Sequence, residues 1–308
     1  KSFASKGECY DINSSFPSSM IDFLPGGLKQ INKRLGGCSI ARVRVKIPHS
    51  TYLPPLPYRF KGRIVFPTGE WEGLFTSPDI ELVEEFYPGS LQRVFEVYHF
   101  DRINDFSDYI QDIYCRRLGA KDEFWRIVYK LLMNGLYGKT VEREEKEEIV
   151  FNPPSLACPH NGQHNKNECV RPIIPGIIAV KNVVEVPHAH VPIGAFVTAR
   201  SRALLYRYMA QCAESLAYVD TDSIYSRVSF QNSSVLGELK HVYTYKNAVF
   251  RAPKAYALQA QNGDGGEWYD VVKSKGFRRM TREEFNDAGA GVDVRVFRAL
   301  KTALRKGV

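Results

Sequence analysis

The chain has 308 residues, 44% of them apolar and 12% aromatic, and its 42 Lys plus Arg against 34 Asp plus Glu give a formal net charge of +8. Such a content of aromatic and apolar residues excludes a disordered chain, and the length suffices for one large domain or two ordinary ones. The basic excess suits a polyanionic partner such as nucleic acid, although many basic proteins bind none.

Six scattered cysteines predict a reduced intracellular protein rather than a secreted disulfide scaffold. No apolar run approaches the ~20 residues that a membrane span needs, so no membrane partner is expected. The chain begins at Lys1 without Met or a signal peptide, which predicts a processed or trimmed part of a longer protein. The compartment and the host, whether viral, plasmid or cellular, stay open.

The first hundred residues alternate predicted strands with turns. Residues 9–20 are typical of a strand that runs into a helix start, where backbone N–H groups suit an anion. Alternating apolar and polar residues over 39–66, between Pro and Gly turns, predict further strands, as do residues 94–100. A helix is predicted over 76–85. On this evidence Asp11 is either a helix N-cap or a functional carboxylate.

The longest helical stretch covers 104–139 and predicts two antiparallel helices with a break at 116–121. On the second helix, Arg126, Lys130 and Asn134 follow at i, i+4 and i+8, which makes one stripe that is either a solvated face or a binding surface. The same helix is predicted to place its apolar residues on one side, and these are Phe124, Ile127, Val128, Leu131 and Leu132.

Residues 141–192 change character and predict an insertion with loop and hairpin content, beginning with a solvated acidic run. Four residues of this insertion are of metal-ligand type, namely Cys158, His160, His164 and Cys169. They could make a zinc site, but their spacing matches no common zinc pattern, which favours a polar loop. A helix is then predicted over 198–213, strands follow up to residue 277, and a basic helical tail closes the chain.

Residues 216–225 predict a strand, a tight turn and a second strand. The turn carries Asp220 and Asp222, and two such carboxylates raise each other's pKa unless a divalent cation compensates their charge. The alternative is a hairpin whose aspartates only cap the turn. Acidic loops at two strand ends, a cationic helix stripe and a basic tail together fit phosphoryl or nucleotidyl transfer.

Three ordered segments resemble the polymerase motifs of family B DNA polymerases. Residues 11–17 (DINSSFP) resemble the first motif, Asp-x-x-Ser-Leu-Tyr-Pro, and residues 130–138 (KLLMNGLYG) resemble the second, Lys-x-x-x-Asn-Ser-x-Tyr-Gly. Residues 218–223 (YVDTDS) match the third, Tyr-x-Asp-Thr-Asp-Ser, at every fixed position. Residues 254–256 resemble the later Lys-x-Tyr motif, and 198–202 resemble a Thr-x-x-Gly-Arg motif of the protein-primed branch, with Ser201 for Gly.

The resemblance implies an α+β right-hand polymerase with an antiparallel-sheet palm (1–105 and 192–256), helical fingers (106–140), an insertion (141–191) and a small thumb (257–308). The family's 3′–5′ exonuclease domain is not expected in this chain. The implied activity is that of a DNA-directed DNA polymerase, a nucleotidyltransferase of DNA replication. It would add dNTPs to a 3′-hydroxyl of primer–template DNA and release pyrophosphate.

The implied site uses Asp11, Asp220 and Asp222 as catalytic carboxylates, with two Mg²⁺ ions (Mn²⁺ as an alternative) on Asp11, Asp222 and the Ile12 carbonyl. Five residues would bind the dNTP: Phe16, Arg126, Lys130, Asn134 and Tyr137. Four would bind DNA without reading its sequence: Thr198, Arg202, Lys254 and Tyr256.

Departures from the motifs are Ser15 for Leu, Phe16 for Tyr and Gly135 for Ser, and none removes a charge that the chemistry needs. Phe16 retains the ring that excludes a ribose 2′-hydroxyl. Three alternatives remain beside a DNA-primed polymerase: one primed by a terminal protein or started without a primer, a catalytically impaired DNA-binding relic or fragment, and a metal-dependent nuclease. The nuclease does not explain the Lys130 helix.

Overall fold

The structure is a computed structural model that describes residues 2–3, 6–151, 170–184, 186–263, 265–275 and 280–287. The strands are, in chain order, β1 (Ser2–Phe3), β2 (Gly7–Ile12), β3 (Leu24–Asn32), β4 (Ser39–Ile47), β5 (Tyr58–Phe60), β6 (Arg63–Val65), β7 (Gly69–Thr76), β8 (Leu91–Ile103), β9 (Glu144–Phe151), β10 (Val170–Ile174), β11 (Ile177–Val184), β12 (Tyr218–Asp220), β13 (Ser223–Ser226), β14 (Leu239–Ala252), β15 (Ala255–Gln261) and β16 (Tyr269–Ser274). The α-helices are α1 (Ser15–Ser18), α2 (Ser77–Phe86), α3 (Ser107–Gly119), α4 (Glu123–Thr140), α5 (Val191–Gln211) and α6 (Arg282–Asp287), and a 3₁₀ turn covers Ala213–Ser215.

The described residues divide into two compact units, one from 1–137 and 191–294 and the other from 138–190. The first unit contains an antiparallel sheet in the order β12-β13-β2-β14-β15-β16, with β1 beside β14. Its two faces are buried differently. Tyr10 and Ile12 of β2 pack with Leu205 of α5 on one face, whereas Cys9 and Tyr225 enter an aromatic cluster on the other. This alternation follows from the two-residue period of a strand.

A second sheet in this unit has the order β3-β8-β4-β7. Strand β4 alternates buried and less buried residues along its length, as its sequence predicts, and its buried residues pack against Ile80 and Val83 of α2. Helix α2 begins with a reciprocal capping box, in which Asp79 accepts from the backbone N–H and the hydroxyl of Thr76. Strands β5 and β6 form a separate exposed hairpin.

The second unit contains a three-stranded antiparallel sheet in the order β10-β11-β9. The acidic run predicted to be solvated begins this sheet, since β9 starts at Glu144 and pairs along its whole length with β11. The backbone N–H of His190 donates to the carbonyl of Thr140 at 2.7 Å, so the two ends of this unit lie side by side. Cys158, His160, His164, Cys169 and the basic tail lie outside the described residues.

Three helix predictions need correction. The break predicted at 116–121 begins only at Ala120, because Arg116 pairs with Asp112 one turn earlier and Arg favours helix. Helix α5 begins at Val191 rather than 198, since Pro192 is tolerated in a first helical turn.

The third correction concerns the apolar side of α4. Phe124 is 62% exposed and Leu131 is 65% exposed, whereas Met133 is fully buried beside Tyr129 and Leu136. Among the described helices, none combines the length and apolar character that a membrane crossing requires.

Candidate active site

The two aspartates of the 218–223 motif lie on the predicted hairpin. Strands β12 and β13 pair antiparallel, with Asp220 opposite Ser223, so that Thr221 and Asp222 form the turn. Thr221 has a φ of 60°, and the backbone N–H of Asp222 donates to the carbonyl of Asp220 at 2.7 Å. The Ser223 hydroxyl donates to the same carbonyl at 3.1 Å. The turn is therefore stabilised by two hydrogen bonds to the carbonyl of Asp220, one from the backbone of Asp222 and one from the side chain of Ser223.

Strand β2 brings Asp11 to this hairpin. It pairs with β13 so that Asp11 lies opposite Ser223, and the backbone N–H of Ile12 donates to the carbonyl of Asp222 at 2.9 Å. Residues 11 and 222 are 211 positions apart in sequence but end neighbouring strands of one sheet. The structure thus brings together the first and third motif carboxylates.

Burial and a neighbouring carboxylate disfavour the ionisation of both Asp11 and Asp222. Burial, and secondly the charge of Asp222, raise the pKa of Asp11 from 3.8 to about 6, although Lys130 and Lys240 act in the opposite direction. Burial and the charge of Asp220 raise the pKa of Asp222. Partly buried carboxylates with raised pKa values are the donor set that a hard divalent cation stabilises in its ionised form. Asp11 and Asp222 therefore fit a Mg²⁺ site.

Asp220 faces elsewhere. Its Oδ1 lies 2.7 Å from Nζ of Lys254, which follows β14 in the tight turn to β15 and has a φ of 59°. The backbone N–H of Lys254 donates to the hydroxyl of Tyr218 at 2.7 Å, and hydrogen bonding to Asp220 raises the pKa of the lysine. Within the described chain no three His, Cys, Asp or Glu side chains converge on one point. In this structure Asp220 is a partner of Lys254.

Tyr256 lies in the core beside Lys254. Only 5% of it is exposed, and its hydroxyl lies 2.9 Å from that of Tyr225, which in turn lies 3.0 Å from that of Tyr243. Burial raises the pKa of Tyr256. A cavity of about 880 Å³ opens in front of this group, lined by Asp220, Lys254, Tyr256, Asp270, Lys273 and Arg282 among others. Of the predicted Lys-x-Tyr pair, the lysine reaches the surface and the tyrosine supports it.

The predicted nucleotide residues come from α1 and α4. The rings of Phe16 and Tyr137 lie 4.6 Å apart, with their planes inclined by 37°. Ser14, before α1, has a φ of 49° and accepts a hydrogen bond from Arg117 at 2.9 Å, and Ser15 pairs with Ser201 at 2.6 Å. The first and second motifs therefore meet through these two rings.

Helix α4 also carries Lys130, Arg126 and Asn134. The charge of Lys130 lowers the pKa of both Asp11 and Asp222, which places it towards the carboxylates. Arg126 donates to the carbonyl of Ala120 at 2.9 Å and lies 3.8 Å from Glu123, so its guanidinium holds the start of its own helix. Asn134 is exposed.

The predicted template contacts on α5 are engaged within the protein. The hydroxyl of Thr198 donates to backbone carbonyls of its own helix at 2.9 and 3.0 Å. Nη2 of Arg202 donates to Oδ1 of Asp79 at 2.5 Å, and Asp79 is only 4% exposed. This ion pair fastens α5 to α2.

One charged residue beside the carboxylates was missed. Lys240 on β14 lies opposite Asp11 on the side of β2 away from β13. Its charge acts to lower the pKa of Asp11. Lys240 is the second residue of the strand that follows the third motif. This position does not indicate a role near Asp11 until the register of β14 on β2 is known.

Comparisons with known proteins identify the family of the chain. Residues 1–178 match the family described as DNA polymerase type B, organellar and viral. The match covers more than half of the chain, and the chain therefore belongs to this family, which confirms the predicted resemblance to the protein-primed branch of family B.

The similar sequences that follow are also DNA polymerases. A probable DNA polymerase of Neurospora intermedia is 27% identical over 90% of this chain and 31% of its own length. The DNA-directed DNA polymerase of Enterobacteria phage PRD1 is 29% identical over 62% of this chain and 34% of its own length. The chain thus spans about a third of these relatives.

Phi29 DNA polymerase complexed with primer–template DNA and incoming nucleotide matches 92% of this chain and 53% of its own, with a TM-score of 0.67 at 19% identity. The same polymerase complexed with single-stranded DNA has a TM-score of 0.65 at 18% identity. This likeness confirms the predicted α+β polymerase fold.

Proposed function

We propose that this chain is the core of a template-directed DNA polymerase that adds deoxynucleotides to a 3′-hydroxyl. The observation that carries the proposal is the meeting of Asp11 and Asp222 at the ends of two neighbouring strands, in a chain of the type B DNA polymerase family. The 3′-oxygen would form a bond to the α-phosphorus, the bond from that phosphorus to pyrophosphate would break, and the hydroxyl proton would pass to solvent.

Asp11, Asp222 and the Ile12 carbonyl would hold Mg²⁺, or Mn²⁺ as an alternative. When bound, two such ions activate the attacking oxygen and stabilise the leaving one. The chain's own contribution is to hold two partly buried carboxylates side by side by backbone hydrogen bonds, before substrate arrives. Asp220, through its ion pair, would fix Lys254 at the edge of the same site.

The nucleotide would lie between the sheet and α4. Lys130 would contact the triphosphate of the nucleotide, because the charge of Lys130 already acts on both carboxylates. Arg126 and Asn134 lie on the same helix and would contact the nucleotide beside it. The ring pair of Phe16 and Tyr137 would bound the sugar and the nascent base pair. A ring without a hydroxyl excludes a ribose 2′-oxygen by its bulk alone.

DNA is the proposed macromolecular partner. The phi29 structures named above contain primer–template or single-stranded DNA, and the cavity beside Lys254 is open to such a strand. Lys254 would contact the primer, and Tyr256 would position that lysine from the core. Because Nη2 of Arg202 donates to Asp79, Arg202 would contact a template phosphate only through its other guanidinium nitrogens. Thr198, one helical turn earlier, would contact the template beside it.

The subdomains are proposed as follows. The palm contains the sheet of β2 and β12–β16, the fingers contain α3 and α4, and residues 141–191 are the insertion. The predicted palm–thumb boundary at 256/257 divides β15, whose pairing continues into β16. We therefore place the end of the palm after Ser274 and the thumb beyond it.

Initiation on the hydroxyl of a terminal protein is a second candidate, favoured by membership of the organellar and viral family. An impaired relic is disfavoured because Asp11, Asp222 and Lys130 are all present. The test is extension of a labelled primer–template with dNTPs and Mg²⁺ by the wild type, Asp222→Ala and the control Asp101→Ala, whose carboxylate is exposed and pairs with Lys29. We expect extension by the wild type and the control only. Extension by Asp222→Ala would contradict the proposal.

A further inference from the structure

Lys240 lies on the catalytic face of the sheet. It is directly opposite Asp11, and the preceding residue, Leu239, is directly opposite Ile12. Directly opposed residues of an antiparallel pair project from the same face. Leu239 and Ile12 pack together in the cluster that includes Leu205 of α5, so Lys240 and Asp11 project from the other face. The bulge in this pairing lies beyond His241 and leaves the register at Lys240 intact.

The charge of Lys240 has no structural task in the described residues. The side chain is exposed, and no described residue forms an ion pair or a side-chain hydrogen bond with its ammonium. Two other cations of the predicted site differ in this respect. Lys254 pairs with Asp220, and Arg126 holds Ala120 and Glu123. A strand fixes the position of Lys240, because its backbone is paired on β2.

An exposed lysine beside a carboxylate is often only part of a solvated surface pair, which contributes little to stability. That explanation lacks the contact it needs, because Lys240 and Asp11 do not pair within 4.0 Å. Lys240 therefore projects from the same sheet face as Asp11, the face from which a polyphosphate would approach that carboxylate. An ammonium group binds phosphate oxygens as a compact point charge with three donors.

We propose that Lys240 binds the β- or γ-phosphate of the incoming nucleotide and the pyrophosphate product, as a second cationic contact besides Lys130. This inference deepens the proposed function and rests on it. Lys130 approaches the phosphates from the helix, whereas Lys240 approaches them from the sheet. Lys240 is thus assigned to the triphosphate and not to the primer or template strand.

The test measures single-nucleotide addition by the 308-residue chain with Mg²⁺, comparing wild type, Lys240→Ala, Lys240→Arg and Lys46→Ala. Lys46 is the matched control, an exposed lysine on β4 in the other sheet of the same unit. We expect Lys240→Ala to raise KM for dNTP about 10- to 100-fold, the range for a hydrogen bond to a charged group. The concentration of pyrophosphate that inhibits by half should rise in parallel, Lys240→Arg should recover part of the loss, and Lys46→Ala should match the wild type.

Two outcomes would overturn the inference: an unchanged KM for dNTP in Lys240→Ala, or a loss confined to the Kd for primer–template DNA. A melting curve for each variant separates either result from misfolding. If the wild type extends primers, the proposed function stands whatever Lys240→Ala does. If it does not, equilibrium binding of a fluorescent dATP with Mg²⁺ still tests Lys240, because the same loss of nucleotide affinity is expected and its absence would refute the role.

Discussion

Removing the charge of Asp11 should stabilise the protein while it abolishes activity. Burial and the neighbouring Asp222 raise the pKa of Asp11 from 3.8 to about 6. A difference of about two pKa units corresponds to about 3 kcal/mol between the two protonation states, and partial exposure reduces the usable part to about 1–2 kcal/mol. Asp11→Asn keeps the shape and removes this cost. We expect its melting temperature to exceed that of the wild type by about 2–6 °C at pH 7.5 in EDTA.

The pH dependence follows from the sign of the shift. Since the carboxyl has a higher pKa in the folded than in the unfolded chain, the folded state retains a proton that the unfolded state loses between about pH 4 and pH 6. The cost of the charge is therefore fully present above pH 6 and disappears towards pH 4. Lys130 and Lys240 face the same carboxylate and moderate this cost. The difference in melting temperature between Asp11→Asn and the wild type should therefore shrink as the pH falls to 4.5.

The assay is thermal unfolding of the wild type, Asp11→Asn and the exposed control Asp101→Asn, each in EDTA and with Mg²⁺. Mg²⁺ should raise the melting temperature of the wild type, because a ligand of the folded state stabilises it, and should leave Asp11→Asn nearly unmoved. Asp101→Asn should behave as the wild type in both buffers. A variant Asp11→Asn that is less stable than the wild type in EDTA at pH 7.5 would refute the charge argument.

Three further predictions concern the ring pair, the α2–α5 ion pair and the insertion. Phe16→Ala should raise ribonucleotide incorporation relative to deoxynucleotide incorporation about 10-fold or more, measured as a ratio of kcat/KM values. Phe16→Tyr should keep the discrimination of the wild type. Equal ratios in the wild type and both variants would exclude Phe16 as the sugar-selecting ring. Asp79→Ala should lower the free energy of unfolding by about 3 kcal/mol in urea, because it leaves Arg202 without its buried partner and removes the capping box of α2. Glu85→Ala, which removes an exposed α2–α5 pair, should lower it by under about 1 kcal/mol. Similar losses in the two variants would show that the burial of Asp79 is unimportant. Replacing 141–189 by a short glycine linker between Thr140 and His190 should shorten extension products while single-nucleotide addition persists, if the insertion encircles DNA or docks a partner; unchanged product lengths would exclude that role.

The sequence was sufficient where structure depends on neighbours in the chain. The β12–β13 hairpin, the helix α2 and the alternation of β4 all follow from residues within a few turns or one strand of each other. The motif resemblance then identified the family and predicted the carboxylates. Composition and spacing alone could not show that Asp11 meets Asp222, because their contact depends on the pairing of strands more than two hundred residues apart.

The errors arose where long-range packing decides. The period of α4 predicted an apolar side, but the fold buries Met133 and leaves Phe124 and Leu131 exposed. The ion pair of Arg202 with Asp79, 123 positions earlier in the chain, was not predicted either, because it depends on how α5 packs on α2. Lys240 gave no local signal, because its place beside Asp11 depends on the register of β14.

The most direct test of the central claim is whether the template chooses the nucleotide. Single-turnover addition would be measured on four primer–templates that differ only in the templating base, each with the four dNTPs separately, for the wild type and Asp11→Asn. We predict rapid addition by the wild type only for the four complementary pairs, and no addition above background by Asp11→Asn. Addition that ignores the templating base, or that persists at the wild-type rate in Asp11→Asn, would contradict a template-directed polymerase built on Asp11 and Asp222.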